Sequence, residues 1–345
     1  MKVAVGILVV LVCYSMSSGG VTAETMTRVE PAQSGAGIKD AVIGSDKLFE
    51  FHEAFWANLH HFLYVEARAR MATADSGREA VAQAKDDLKE ISSLSNAEQT
   101  AWNAALDYYQ QHLATQDLVF DDALINVSTA IARQESVPVF GDAKLDPGLV
   151  RVLNDAAPVY RKFWWPRQDE ANRRWYRAEQ PLLEKYEEPL SRQVAAAFRA
   201  VWPSDRLPVY LCGYSNWSGA YTTNHPSRIT LGTMSKANAG ADGLEILFHE
   251  SLHTMDDVLD SALSAEAERQ HKKSPRGLGH AVIFFTAGEF THRAIPDHIP
   301  YAESRGIWTR GDWGAYKRIL DAAWLPYLDG KTSFEEAIKS IVSMT

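Results

Sequence analysis

Apolar residues recur at three- and four-residue intervals through most of this chain, which is the spacing of amphipathic helices. The clearest example is the segment 47–71, whose apolar positions share one helical face: Phe51, Phe55, Leu59, Phe62, Leu63 and Val65. Similar spacing predicts further helices over 77–93, 98–116, 118–134, 146–153, 164–201, 242–259, 277–294, 313–325 and 333–342. The sequence therefore predicts a mainly α-helical protein.

The pattern changes after Pro203. Two short runs of β-forming residues, 207–211 and 228–231, are separated by a polar stretch over 213–227. They are the best strand candidates in the chain, so the expected fold class is mainly α with a small β-sheet, an α+β protein. We divide the chain into a helical N-terminal region, 45–202, and a second region, 203–345, that contains both strand candidates.

The N-terminus is typical of a signal peptide. Lys2 precedes a short apolar run, and small or polar residues follow as far as Ala23. The apolar run is well short of the roughly 20 residues that a membrane-spanning helix needs. We therefore predict a signal peptide over 1–23, a flexible lead-in over 24–44, and a periplasmic or secreted protein with no stable membrane anchor.

Composition and charge exclude some partners. A chain of 345 residues with 46% hydrophobic content can bury a large core. Loss of Lys2 with the signal peptide would change the formal net charge from -9 to -10, which makes nucleic acid an unexpected partner. Cys13 would leave as well, so the remaining Cys212 has no cysteine in the mature chain with which to form a disulfide.

The segment 242–259 contains the pattern His-Glu-x-x-His, formed by His249, Glu250 and His253. Residues four apart lie on one face of a helix, so both imidazoles can bind one metal ion. Glu250 is displaced by about 100° around the helix and can reach the metal's open position without ligating it. Zinc lowers the pKa of bound water to about 7, and a neighbouring carboxylate can take the proton. The pattern predicts a Zn²⁺ site with Glu250 as general base.

With this motif the chain resembles the gluzincins, the thermolysin-like group of zinc metallopeptidases, over residues 228–293. The resemblance implies a zincin-like catalytic region within 203–345 and an edge strand, 228–231, that would bind an extended peptide. It also implies an acidic third metal ligand on a later helix, for which Glu289 fits best. The expected function is cleavage of peptide bonds in a peptide or protein substrate.

His280 is the rival third ligand. It lies nine residues before Glu289, which places the two side chains on opposite faces of a straight helix. We therefore expect only one of them to bind the metal directly. If Glu289 is the ligand, His280 could instead face the cleft and hydrogen-bond the substrate, or simply cap the helix end.

Supporting roles follow from the resemblance and from position. A tyrosine or histidine often stabilises the oxyanion in such enzymes, and Tyr301 is the candidate here, with His292 and Arg293 as alternatives. Asp256 or Asp257 could accept the second ring N–H of a ligand histidine, or could simply be solvated.

The metzincin pattern is absent, because Asp256 and Leu259 stand where that class has Gly and His. Iron-dependent oxygenases usually carry their metal ligands on the strands of a β-barrel, and this chain has too few predicted strands for one. A catalytically inactive metal-binding or structural protein that retains the motif helix is the alternative function.

The adjacent His60 and His61 point about 100° apart on a helix, which favours packing over a shared metal ion.

Overall fold

The computed structural model describes residues 42–71, 88–134, 137–216, 219–273 and 276–345, and all of them belong to one compact unit. The predicted signal peptide, most of the lead-in and most of the predicted helix over 77–93 lie outside the described residues. Within the described ranges, every helix is too short or too polar to cross a bilayer.

Helices dominate and a small mixed sheet joins them, so the predicted α+β class is confirmed. The helices of the N-terminal region are α1 (Phe55–Met71), α2 (Asn96–His112), α3 (Asp122–Ala132), α4 (Pro147–Phe163) and α5 (Trp165–Ala197). Those that follow are α6 (Ala241–Leu252), α7 (Asp257–Arg269), α8 (Leu278–Ala294), α9 (Tyr301–Ser304), α10 (Trp313–Leu328) and α11 (Phe334–Met344). Short 3₁₀ helices occur at Leu88–Ser93, Lys236–Asn238 and Ile307–Thr309.

The sheet has the strand order β1-β2-β3-β5-β4. Its strands are β1 (Val42–Ser45), β2 (Phe49–His52), β3 (Leu207–Cys212), β4 (Ala220–Asn224) and β5 (Ser227–Gly232). Strands β2, β3 and β5 are parallel, whereas β1 and β4 run antiparallel to their neighbours. Strands from 45–202 and from 203–345 thus form one sheet.

The expected edge strand is corrected by this topology. The segment 228–231 lies within β5, which is flanked by β3 and β4, and β4 occupies the edge among the described strands. The sequence pattern places the residues of β4 in the polar stretch over 213–227, between the two strand candidates. Its Tyr and Thr residues favour a strand, but the stretch has too few apolar positions to produce an alternating signal.

The predicted helix over 47–71 begins later than expected, because its first residues form β2. Phe49–His52 pair in parallel with residues 207–210 of β3, far away in the chain. Local periodicity cannot detect such a partner. Two further boundaries differ from the prediction. The predicted helix over 242–259 is two helices, α6 and α7. Strand β1 begins before Asp46, within the predicted lead-in.

The two faces of the sheet differ in chemistry. Successive residues of a strand point to opposite faces. One face, which we name the apolar face, packs on α5, α6 and α8 through Val209, Leu211, Ile229 and Leu231. The opposite face, which we name the polar face, is covered by α1 and α3 and bears these side chains: Tyr210, Cys212, Tyr221, Thr223, Arg228 and Thr230. The candidate motif therefore lies on the apolar side.

Candidate metal centre

Helix α6 is fixed to the apolar core by Leu244, Leu247 and Phe248, all fully buried. This anchoring turns the opposite side of the helix, with His249, towards α8. The last helical residue is Leu252, and His253 caps the end. The ring centroids of His249 and His253 are 5.1 Å apart, as expected for residues one turn apart on one face.

Helix α8 brings His280 to this pair. Nε2 of His280 lies 3.2 Å from Nε2 of His249, and its ring centroid is 5.0 Å from that of His253. One ring nitrogen from each of the three histidines lies within 4.8 Å of the other two. Two imidazole nitrogens bound to one tetrahedral zinc ion are about 3.3 Å apart, given Zn–N bonds of about 2.05 Å. The three-histidine donor set therefore fits zinc.

The contact between α6 and α8 explains why His280 belongs to the cluster. Residues about one turn apart along α6 contact residues one turn apart along α8. His249 packs on Phe284, with ring centroids 4.0 Å apart. One turn later, His253 contacts His280. One turn after Phe284 along α8, a Cβ on Gly288 would come within 3.0 Å of Glu245 Oε1. Position 288 therefore favours glycine, because a larger side chain would obstruct the close approach of the two helices.

Glu289 is not brought to the two motif histidines. Its Oε1 accepts a hydrogen bond from Arg293 Nε at 2.7 Å, and Arg293 also donates to Asp329 Oδ1 at 2.6 Å. The carboxylate thus finds its partner in a half-exposed ion-pair network on another side of α8. The third position that the resemblance assigned to Glu289 is occupied by His280, the rival candidate.

Burial keeps two of the three imidazoles neutral, as metal binding requires. Burial lowers the pKa of His249 well below its usual value, and the neighbouring His253 and His280 add to the effect. Burial also lowers the pKa of His280 to about 3.

His253 differs from the other two histidines. Burial opposes its protonation, but the hydrogen bond that its ring N–H donates to Asp256 and the charge of Glu250 raise its pKa overall. Nδ1 of His253 lies 3.4 Å from Asp256 Oδ2, which leaves Nε2 free to face a metal. This is the supporting role that the sequence offered to Asp256.

Glu250 is held by the edge strand. The hydroxyl of Thr222, on β4, lies 2.8 Å from Glu250 Oε2 and 2.7 Å from the Glu250 carbonyl oxygen. Burial raises the pKa of Glu250, while the charge of His253 and the Thr222 hydrogen bond act in the opposite direction. The result is a buried, oriented carboxylate beside a candidate ligand, with increased proton affinity.

Aromatic rings form one wall of the cluster. Phe284 stacks on His280 with centroids 4.9 Å apart, and Trp313 packs edge-on against His280 at 5.8 Å. Tyr301 stacks on Phe284 at 6.4 Å, so it lies one ring beyond the histidines. Sequence reasoning missed Phe284 and Trp313. The position of Phe284, four residues after His280, could have identified it as a neighbour on the same helical face.

A buried carboxylate, Glu245, forms a hydrogen-bond network next to the cluster, and the sequence analysis did not identify it. Glu245, one turn before His249, is fully buried, and its Oε2 lies 2.6 Å from His298 Nε2 and accepts from the Tyr301 amide at 2.8 Å. The other suggested oxyanion residues lie elsewhere, since His292 Nδ1 bonds the His298 carbonyl and Arg293 pairs with Glu289.

Comparisons of the chain with models of protein families, with curated proteins and with solved structures found no match. The class of the site is therefore defined by its own geometry. Three converging imidazoles, two of them kept neutral by burial, form a donor set close enough to hold one metal ion. An oriented carboxylate next to one of them gives that site a candidate base.

Proposed function

We propose that this chain is an exported, zincin-like zinc hydrolase that cleaves peptide bonds, with the metal held by His249, His253 and His280. The observation that carries the proposal is the convergence of these imidazoles around one point beside the Glu250 carboxylate. A site with three protein ligands and an open fourth position is typical of catalytic zinc. The absence of a carboxylate from the converging group makes it less similar to the two-histidine, one-carboxylate iron sites.

Zinc bound by these residues would supply Lewis acidity, polarising the scissile carbonyl and increasing the acidity of water. A side chain of the protein accepts and donates the proton of this reaction. The carboxylate of Glu250 accepts the proton of the attacking water, and its raised pKa allows it to return that proton to the leaving amine. Thr222 keeps one carboxylate oxygen in place, so that the other can face the reacting atoms.

Strand β4 is the surface on which we expect an extended peptide to bind. It is one of the two edge strands of the described sheet, and an edge strand offers backbone hydrogen bonds to an added strand. Thr222, in the middle of β4, contacts Glu250, and Asn224 at its end donates to the His253 carbonyl oxygen at 2.9 Å. A peptide paired with β4 would therefore run beside the proposed metal and base.

Metal content tests the ligand set. Elemental analysis of the mature protein should find stoichiometric zinc in the native chain and in Glu289→Ala, but much less in His280→Ala purified in the same way. Glu289→Ala is the matched control because it removes a charged side chain from the same helix, α8. Retention of zinc in His280→Ala with loss in Glu289→Ala would contradict the proposed site.

Turnover tests the proposed chemistry. With a peptide library as substrate, Glu250→Gln should keep its zinc and lose activity by roughly 10²- to 10⁴-fold, because the general base is removed while the ligands remain. Full activity in Glu250→Gln would exclude the proposed base. A zinc-loaded native chain that cleaves no peptide in the library would favour the alternative, a metal-binding protein without turnover.

A further inference from the structure

The polar face of the sheet carries a buried cation. Arg228, on β5, is only 4% exposed, and its Nη1 donates to Thr129 Oγ1 of α3 at 2.7 Å. A guanidinium group stays protonated in proteins, so this side chain brings a full positive charge into the interior. Its hydrogen-bond partner on α3 is a neutral hydroxyl.

No carboxylate of the described residues forms an ion pair with Arg228. The groups that act on it are the phenol of Tyr221, which also hydrogen-bonds to it, the phenol of Tyr210 and the like charge of Arg133. Burial raises the pKa of Tyr221 to about 12, so its hydroxyl is neutral. His61 is neutral as well, since burial lowers its pKa to about 4. Buried charges in proteins are normally paired, and none of the described residues supplies a negative charge to this one.

Two buried donors near this charge lack a partner. Nη2 of Arg228 and Oγ1 of Thr223 are both inaccessible to solvent and make no hydrogen bond within the described residues. Arg228 and Thr223 lie directly opposite each other in the β4–β5 ladder. Side chains of such a pair lie on one face of the sheet with Cβ atoms about 4.5–5.5 Å apart. One acceptor between them could satisfy both donors.

We propose that Arg228 and Thr223 bind a small monovalent anion of the chloride type on the polar face of the β4–β5 hairpin. The valence follows from the single uncompensated charge. We choose a small ion because both donor atoms are shielded from solvent. A spherical ion also accepts N–H and O–H donors from two directions without a preferred orientation.

This anion site is separate from the proposed metal centre. Strand residues alternate in direction, so Thr223 faces α1 and α3 whereas Thr222 faces α6 and Glu250. Binding of the anion depends on neither a metal nor catalytic turnover. The bound anion should stabilise the hairpin that carries Thr222.

Thermal unfolding tests the site in solution. The midpoint of the mature chain should rise in a saturating manner when sodium chloride replaces sodium gluconate at constant ionic strength, because a ligand bound only by the folded state stabilises it. Arg228→Met should lose this shift. The matched control is Arg133→Met, which removes a nearby but exposed positive charge and should keep it. No chloride-specific shift in the native chain, or an equal shift in Arg228→Met, would overturn the proposal.

A second measurement needs no variant of the buried arginine. Crystals of the native chain grown in sodium bromide should give an anomalous peak within hydrogen-bond distance of Arg228 Nη2 and Thr223 Oγ1. Thr223→Val, which preserves side-chain volume, should reduce the occupancy of that peak. Bromide found only at exposed lysines and arginines, with none between these two donors, would show adventitious binding and overturn the assignment.

Discussion

Two groups of buried histidines lie on opposite sides of the same sheet, and they differ in what their ring nitrogens contact. In the N-terminal region, His60 bonds the Tyr109 hydroxyl at 2.8 Å and the Ser128 hydroxyl at 3.0 Å. Its neighbour His61 donates from Nδ1 to the Ala57 carbonyl at 2.6 Å and bonds Tyr221 through Nε2 at 2.7 Å. All four ring nitrogens have protein partners.

In the candidate metal centre the nitrogens converge on one another instead. Nε2 of His249 faces Nε2 of His280 at 3.2 Å, and Nδ1 of His249 is buried without a hydrogen-bond partner in the described residues. Burial lowers the pKa of His60 and His61 as it does that of His249 and His280. A lowered pKa therefore does not distinguish a metal site from a packed core. The distinguishing feature is the hydrogen bonding of the ring nitrogens: those of His60 and His61 all have protein partners, whereas Nδ1 of His249 has none among the described residues.

The largest expected effect is the response to zinc. At a free metal concentration about 1,000 times the dissociation constant, binding should add about 4 kcal/mol to the free energy of unfolding. Denaturant unfolding with and without zinc should reveal this gain in the native chain and in His60→Gln, but not in His280→Ala. Loss of the response in His60→Gln together with its retention in His280→Ala would reverse the distinction between the two groups.

The pH dependence of stability should report on the other group. His61 titrates at about 4 in the folded chain and at about 6.5 when unfolded, so only the unfolded chain gains this proton between these values. Its contribution to stability is complete above pH 6.5 and is lost as the pH falls towards 4, by about 3 kcal/mol. Compared with the native chain, metal-free His61→Gln should lose less stability between pH 7 and pH 4.5, as measured by urea unfolding. Parallel profiles for the two proteins would contradict the neutral, fully bonded state of His61.

A smaller effect is expected from the residue that orients His253. Asp256→Asn removes the charge near His253 Nδ1, and loss of such a supporting carboxylate typically weakens metal affinity by about 10- to 100-fold. Competition with a chelator would measure the change. Asp257→Asn is the control, because no interaction joins Asp257 to the described histidine cluster. Equal affinities for the two variants would remove Asp256 from the site.

The smallest effect concerns a single hydrogen bond in the N-terminal group. The Ser128 hydroxyl donates to the Leu124 carbonyl at 3.0 Å, so it accepts from His60 Nε2. Ser128→Ala leaves that ring nitrogen without its acceptor and should lower the free energy of unfolding by about 1 kcal/mol. Zinc affinity should stay unchanged. A weakened zinc affinity would show that the two groups of histidines are coupled across the sheet.

The sequence by itself determined what depends on short spacing. Helical periodicity predicted α2, α5, α8 and α10 to within a few residues, because each helix buries one face and its hydrogen bonds close locally. The four-residue spacing of His249 and His253 placed both rings on one side of α6 for the same reason. The adjacency of His60 and His61 predicted that their rings point in different directions, and the two rings bond to different partners.

Only the tertiary structure decided what depends on partners far away in the chain. Strand β2 exists because β3 pairs with it, and β5 is an interior strand because β4 covers its edge. The sequence already placed His280 and Glu289 on opposite faces of one helix. Which face meets α6 is decided by packing, with Gly288 against Glu245 and Phe284 against His249, and that contact selects His280. Helix periodicity defines the faces of a helix, but the choice of its neighbour is made by the whole core.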